Sequence, residues 1–218
     1  MTNTIHSDSH THFVPAAGHA WLLPLYDPLN KLIGAERVKR KLIARAELAA
    51  GTRVLDVGSG TGDLALLAKE IQPEAIVRGF DPDPAALARA ALKARQRGLD
   101  VGFDEAFGGE LPYDDASFDR ALSSFVFHHL DTETKLGTLR ELVRVLAPGG
   151  QLLLMDFGPA RGGWIQTLGK LLHSDAALKD NTPDALPALM RAAGFSSAEE
   201  LAGEDRIIGS VYTYRATV

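Results

Sequence analysis

From about residue 52 onward, short apolar runs alternate with longer stretches in which apolar residues return every three or four positions. That alternation predicts a parallel sheet with helices packed on its faces, an α/β fold. RVLDV (53–57) is a buried-strand run, and Leu64, Leu67, Ala68 and Ile71 then follow at helical spacing until Pro73 stops them. AIVRGF (75–80) predicts the second strand. In DPDPAALARAALKARQRG, Asp83 can cap a helix, Pro84 suits its first turn and Gly98 ends it. VGF (101–103) and FDRALSSFVF (118–127) predict the third and fourth strands. Asp131 or Thr132 opens the next helix, whose apolar face is expected to be Leu136, Leu139, Val143 and Leu146. APGG breaks it, and QLLLMDF (151–157) is the fifth strand. Trp164, Ile165, Leu168, Leu171 and Leu172 make an amphipathic piece. A helix opens at Thr182-Pro183 and ends at Gly194, and RIIGSVYTYRATV (206–218) closes the chain as a β run.

Composition narrows the function classes. A chain of 218 residues suits one domain with one sizeable core. Residues 1–49 are expected to form a cap or lid, 50–158 the ligand-binding core, and 159–218 a substrate-side insertion with the last strands. The net charge is -5 and there is no long basic run, so no nucleic-acid partner is expected. The absence of cysteine excludes disulfides, thiolate metal sites and a thiol nucleophile. MTNTIHSDSHTH has neither a basic nor an apolar leader pattern, and no run approaches membrane-spanning length. A cytoplasmic protein with no integral membrane segment is expected; a homodimer is allowed but not required. His6, His10, His12 and His19 crowd the first 20 residues without a second ligand group of clear spacing, so no metal site is proposed.

The chemistry centres on VLDVGSGTGDLALLAKE (54–70), where a strand runs into an acid, three alternating glycines and a helix. Ligands of such sheets bind at the carboxyl ends of the strands. Gly58, Gly60 and Gly62 permit unusual dihedrals there and let a ligand approach the main chain. The dinucleotide fingerprint wants a sixth-position glycine, but Asp63 stands there, a poor neighbour for a diphosphate. No GK[ST] follows, so a Walker loop also fails. Asp56, ending the first strand, suits a cationic or amino-bearing ligand. Asp81, 25 residues later, matches the acid that grips a ribose through its hydroxyls. Ribose plus a cationic amino-bearing group without phosphate describes S-adenosyl-L-methionine. Singly, each acid could be a helix cap and each glycine a turn; their order points to a site.

These segments resemble the class I S-adenosylmethionine-dependent methyltransferases. VLDVGSGTG matches the first family motif and GFDPDPAALARA the second. LPYDDASFDRALSSFVFHHL and LRELVRVLAPGGQLLLMDF match the segments through the fourth and fifth strands. The resemblance implies a Rossmann-like three-layer sandwich with a seven-stranded, mostly parallel sheet, the last strand antiparallel, and an N-terminal helical cap. It implies that the donor lies on Asp56, Gly58, Ser59, Gly60, Asp81, Pro82, Glu105, Ala106, Phe107 and Ser124, with S-adenosyl-L-homocysteine as product. Where the family often carries an acid for the adenine amino group, this chain has Phe107. Either its ring packs on adenine, with Glu105 or a main-chain group supplying the polar contact, or it is a core residue.

The acceptor is expected to be a small molecule. A sulfonium is already an activated methyl donor, so the protein must chiefly align the nucleophile and exclude water. SSFVFHHL occupies the place of the Asn/Asp-Pro-Pro-aromatic motif of base-methylating enzymes, which argues against a nucleobase acceptor. His128 and His129 follow the fourth strand; either could take an acceptor proton, or both could serve only to join strand to helix. HFVPAAGHAWLLPLYDPLNKLIG (12–34) resembles the leading region of the quinone- and small-molecule-methylating, UbiE-type branch, notably at Tyr26, Asp27 and Asn30. Trp21, Tyr26, His128 and Trp164 are the expected acceptor contacts. Two features depart from the quinone enzymes: the histidine-tryptophan stretch after Asn30 is absent, and MDF replaces an acid followed by a small polar residue. Two rival readings stand beside methyl transfer. One is a protein that binds the sulfonium for regulation or other chemistry; the other is a nicotinamide-dependent oxidoreductase.

Overall fold

The computed structural model describes residues 35–159, 182, 184–206 and 209–218. Trp21, Tyr26, Trp164 and the N-terminal histidines lie outside the described residues. The elements run α1 (Ala35–Ala46), β1 (Arg53–Val57), α2 (Asp63–Ile71), β2 (Ile76–Asp81), α3 (Pro84–Arg97), β3 (Val101–Glu105) and β4 (Phe118–Ser124). A short 3-10 turn (Phe127–His129) leads to α4 (Thr132–Val145), β5 (Leu146–Gly158), α5 (Ala185–Ala193), β6 (Ser197–Arg206) and β7 (Gly209–Thr217). One sheet has the order β3-β2-β1-β4-β5-β7-β6. β7 alone runs antiparallel to its neighbours β5 and β6, and the other strands are parallel.

Period-two alternation along the strands divides the core. Leu55, Val57, Ala121, Leu152, Leu154, Tyr212 and Tyr214 pack with Leu139 and Leu142 of α4 and Leu186 and Met190 of α5. Val54, Leu122, Leu153 and Met155 face Leu42 and Ile43 of α1 and Leu64, Ala65 and Ala68 of α2. α3 lies beside α2, joined by Arg97–Glu70 and Lys93–Asp63 pairs.

Local signals worked where they were strong. Asp83 Oδ1 accepts from the Ala85 and Ala86 amides, Pro84 opens α3, and Gly98 closes it at φ 65°. Asp131 caps α4 through the Thr134 amide. Three expectations need correction. The inward face of α4 is Lys135, Thr138, Leu139, Leu142 and Val145, rotated from the expected one, so Leu136 and Val143 are only half-buried. β5 begins at Leu146, directly after the helix, and runs through APGG with a register shift against β4. β6, SAEELAGEDR, went unseen because an edge strand needs no apolar run.

Candidate active site

Parallel register brings the carboxyl ends of the central strands level: Val57 pairs with both Phe80 and Ser123, and Ser124 with Met155. The glycine loop rises from β1 at this edge. Gly58 (φ 65°) has Val126 packed so close that an added Cβ would lie 2.7 Å from its methyls. Gly62 (φ 81°) is pressed against Ala90 and Phe103 from α3 and β3. Gly60 (φ 50°) is different, since nothing lies within 4 Å of where its Cβ would be. The loop is fastened on two sides and open on the third, a bare main-chain cradle.

Two carboxyls anchor that cradle. Asp81, 8% exposed at the end of β2, accepts from the Gly60 amide at 2.8 Å and the Asp83 amide at 2.9 Å. Burial raises its pKa against the pull of those two amides. Asp56 is 1% exposed and accepts from the Ala65 amide of α2 at 3.0 Å. Burial pushes its pKa up to about 7, opposed by Lys39 and the Ala65 amide. Asp56 is thus a helix anchor, its carboxyl turned to the first turn of α2. Ser59 also departs from the simple picture. Its side chain sits on Gly79, its amide donates to Phe80 O, and its buried hydroxyl finds no partner among the described residues.

The third strand adds the neighbouring wall. Glu105 ends β3 exposed, and the buried Ala106 donates its amide to Asp81 O at 3.3 Å. Phe107 follows, 52% exposed, so the core alternative for this ring is excluded. Glu141 accepts from the Leu111 amide at 2.8 Å, and Arg144 donates to the Leu111 and Tyr113 carbonyls, tying this loop to α4. Pro82 lies between Asp81 and the α3 cap. These residues fit an adenosyl ligand: an exposed ring for a base, a fixed carboxylate for hydroxyls and an open glycine for close approach.

Across β4 the chemistry changes. Phe125 leaves the strand at φ 60°, strained for a residue with a side chain. Its ring meets Phe157 at 4.7 Å, and Phe157 stands edge-on to His128 at 5.2 Å. His128 is 6% exposed. Its Nδ1 lies 2.6 Å from Asp156 Oδ1, and its amide donates to Asp156 Oδ2 at 2.9 Å. Asp156, 1% exposed, also accepts from the Phe157 amide. His129 is exposed, its ring 3.9 Å from that of His128. The two histidines therefore differ: one is held and the other faces outward. Asp156, Phe125 and Phe157 were missed by sequence reasoning. They lie at the ends of β4 and β5, and only the pairing of those strands brings them together.

Comparison with known proteins identifies the family. Residues 54–150 match the family described as "Methyltransferase domain". A demethylmenaquinone methyltransferase of Thermus thermophilus is 40% identical over 205 residues, covering 83% of this chain and 92% of its own. The enzyme of the same name from Deinococcus radiodurans is 35% identical over 90% of this chain and 85% of its own. The chain is a UbiE-type class I S-adenosylmethionine-dependent methyltransferase. Its donor is S-adenosyl-L-methionine, and its acceptor is a small molecule. Among solved structures, the [4+2]-cyclase SpnF aligns with TM-score 0.66 and 26% identity, covering 84% of this chain and 80% of that one. A methyltransferase of Aquifex aeolicus aligns equally well at 21% identity, covering 88% and 97%, a likeness of fold alone. Among the described residues no helix is long and apolar enough to cross a membrane, and no cluster of acids and histidines could hold a metal.

Proposed function

We propose that this methyltransferase acts on a ring carbon of a reduced, hydroxylated quinone-type aromatic, and that His128 takes the acceptor's hydroxyl proton. The observation that carries the reading is the buried His128–Asp156 pair beside the Phe125–Phe157 rings. The two demethylmenaquinone relatives support the acceptor class, and they match the chain despite its departures after Asn30 and at MDF.

When bound, S-adenosylmethionine supplies a methyl group on a positively charged sulfur and leaves as S-adenosylhomocysteine. Asp81 would hold its ribose, Phe107 would cover its adenine, and Gly58 and Gly60 would let it lie on the main chain, with Ser124 at the neighbouring strand end. Phe125 and Phe157 offer flat apolar surface to an aromatic acceptor. Asp156 fixes the His128 ring: Nδ1–H donated to the carboxylate sets the tautomer in which Nε2 is the basic nitrogen. Removing a hydroxyl proton raises electron density at the ring carbons ortho and para to that oxygen, which is what a carbon nucleophile needs. After transfer the methylated carbon gives up its own hydrogen as a proton, the hydroxyl is re-protonated and the ring is aromatic again, so that one proton is released overall. Trp21, Tyr26 and Trp164, the other acceptor contacts expected from the sequence, lie outside the described residues.

The test is incubation with a chemically reduced demethylated naphthoquinone and isotopically labelled donor, with the product mapped by mass spectrometry. Label on a ring carbon is the expected outcome. Label on oxygen, or an unchanged acceptor with donor bound, overturns the reading; the second result would turn attention to other sulfonium-dependent chemistry.

A further inference from the structure

The donor carries an amino-acid end, with an ammonium and a carboxylate, and the glycine loop is poorly equipped for the carboxylate. The Ser59, Gly60 and Gly62 amides already donate to Phe80 O, Asp81 Oδ2 and Ser59 O. Asp63 and Asp81 border the loop with carboxylates of their own. An anion brought here needs a cation from outside the loop.

α1 supplies one. Its C-terminal end sits at the foot of the sheet, where Arg120 donates to Ala46 O at 2.8 Å. Its N-terminal half therefore reaches the loop edge, and Lys39 lies there with its side chain 11% exposed and its ammonium 3.7 Å from Asp63 Oδ2. Asp63 has a closer partner: Lys93 Nζ stands 2.6 Å from Oδ1 and 3.0 Å from Thr61 Oγ1. Burial pushes the Asp63 carboxyl up, but Lys39 and Lys93 outweigh it and hold it below the ordinary range. Lys93 is fixed on Asp63 and Thr61, whereas the looser Lys39 contact leaves its ammonium able to serve a second anion. Asp63, Lys93 and Thr61 act as a bracket that aims it.

We infer that Lys39 of α1 binds the carboxylate of the donor's amino-acid end, so that the helix reads whether the donor carries that end. Lys39 is then a specificity residue of the donor site, contributed from outside the glycine loop. The inference needs only the donor and is independent of the acceptor proposed above.

Calorimetry with two probes tests it: S-adenosylhomocysteine, and 5′-methylthioadenosine, which lacks the amino-acid end. Lys39→Gln is expected to weaken S-adenosylhomocysteine binding by about tenfold or more, the scale of a lost charged hydrogen bond, and to leave methylthioadenosine within about twofold. Lys39→Arg should restore most of the difference. Equal loss for both probes, or loss for neither, overturns the assignment. Should Lys39→Gln fail to fold, the wild-type protein still decides: the methyl ester of S-adenosylhomocysteine must bind about tenfold more weakly than the free acid, and equal affinity refutes the role.

Discussion

The two halves of the sheet's carboxyl edge are built differently. Between β1 and β3, the site is main chain held by neighbours: Gly58 against Val126, Gly62 against Ala90, Gly60 tied to Asp81. Between β4 and β5, the site is side chain held by side chain, with His128 fastened to Asp156 and Phe125 to Phe157. A donor that is the same across a family is served by backbone geometry, which substitutions elsewhere barely disturb. An acceptor that varies is served by side chains that can be exchanged without rebuilding the sheet. The SpnF likeness fits this division, since a [4+2]-cyclase shares the fold.

The largest expected effect separates the halves. His128→Ala should lower kcat by roughly 10²–10³, the scale of general-base catalysis, with donor affinity unchanged by calorimetry. A loss of donor affinity as large as the loss of kcat would show that the halves are not separable. Asp81→Ala is expected to do the reverse, weakening donor binding by roughly 1.5–3 kcal/mol as charged hydrogen bonds are lost. Unchanged affinity in the same titration would remove Asp81 from the ribose role.

The same division explains what could be seen in the sequence. The donor half is nearly contiguous, so the order of Asp56, three glycines and Asp81 was legible and the turns followed. The exposed Phe107 could not be told from a core residue, because exposure is decided by how loop 107–111 docks on α4 through Glu141 and Arg144. The proposed acceptor half joins residues far apart in sequence. His128 and Asp156 meet only because β4 and β5 are neighbours in register, and nothing local in MDF announces it. Lys39 was invisible for the same reason: in AERVKRKLIARA it is indistinguishable from Lys41 until α1 is laid along the sheet. β6 was hidden by its polarity, and the turn of α4 by Lys135 and Thr138 on its inward face.

Gly58→Ala probes the backbone half directly. The position needs φ 65°, and the new methyl would meet Val126 at 2.7 Å. Strain and overpacking together should cost about 2 kcal/mol of stability, read as a lower denaturant midpoint. The companion Gly60→Ala meets no atom within 4 Å, so it should lose less stability and more donor affinity. If both variants lose stability equally, the open cradle at Gly60 is wrong.

The smallest effect tests how Asp56 serves the backbone half from beneath. Burial raises its folded pKa from 3.8 to about 7, while in the unfolded chain it returns to the ordinary value. Between those limits the folded protein holds a proton that the unfolded chain has released, so stability declines as pH rises. Above about 7 the buried carboxylate is charged and its full cost is carried by the fold. Asn at this position can still accept from the Ala65 amide but never ionises. Asp56→Asn should therefore gain on the wild type by about 1 kcal/mol between about pH 6 and about pH 7.5, measured by urea unfolding across that range. A difference that stays flat with pH would mean that Asp56 is ionised throughout. Lys39 would then stabilise its charge more strongly than burial opposes it, and α1 would be a structural support of the glycine loop as well as a contact for the donor.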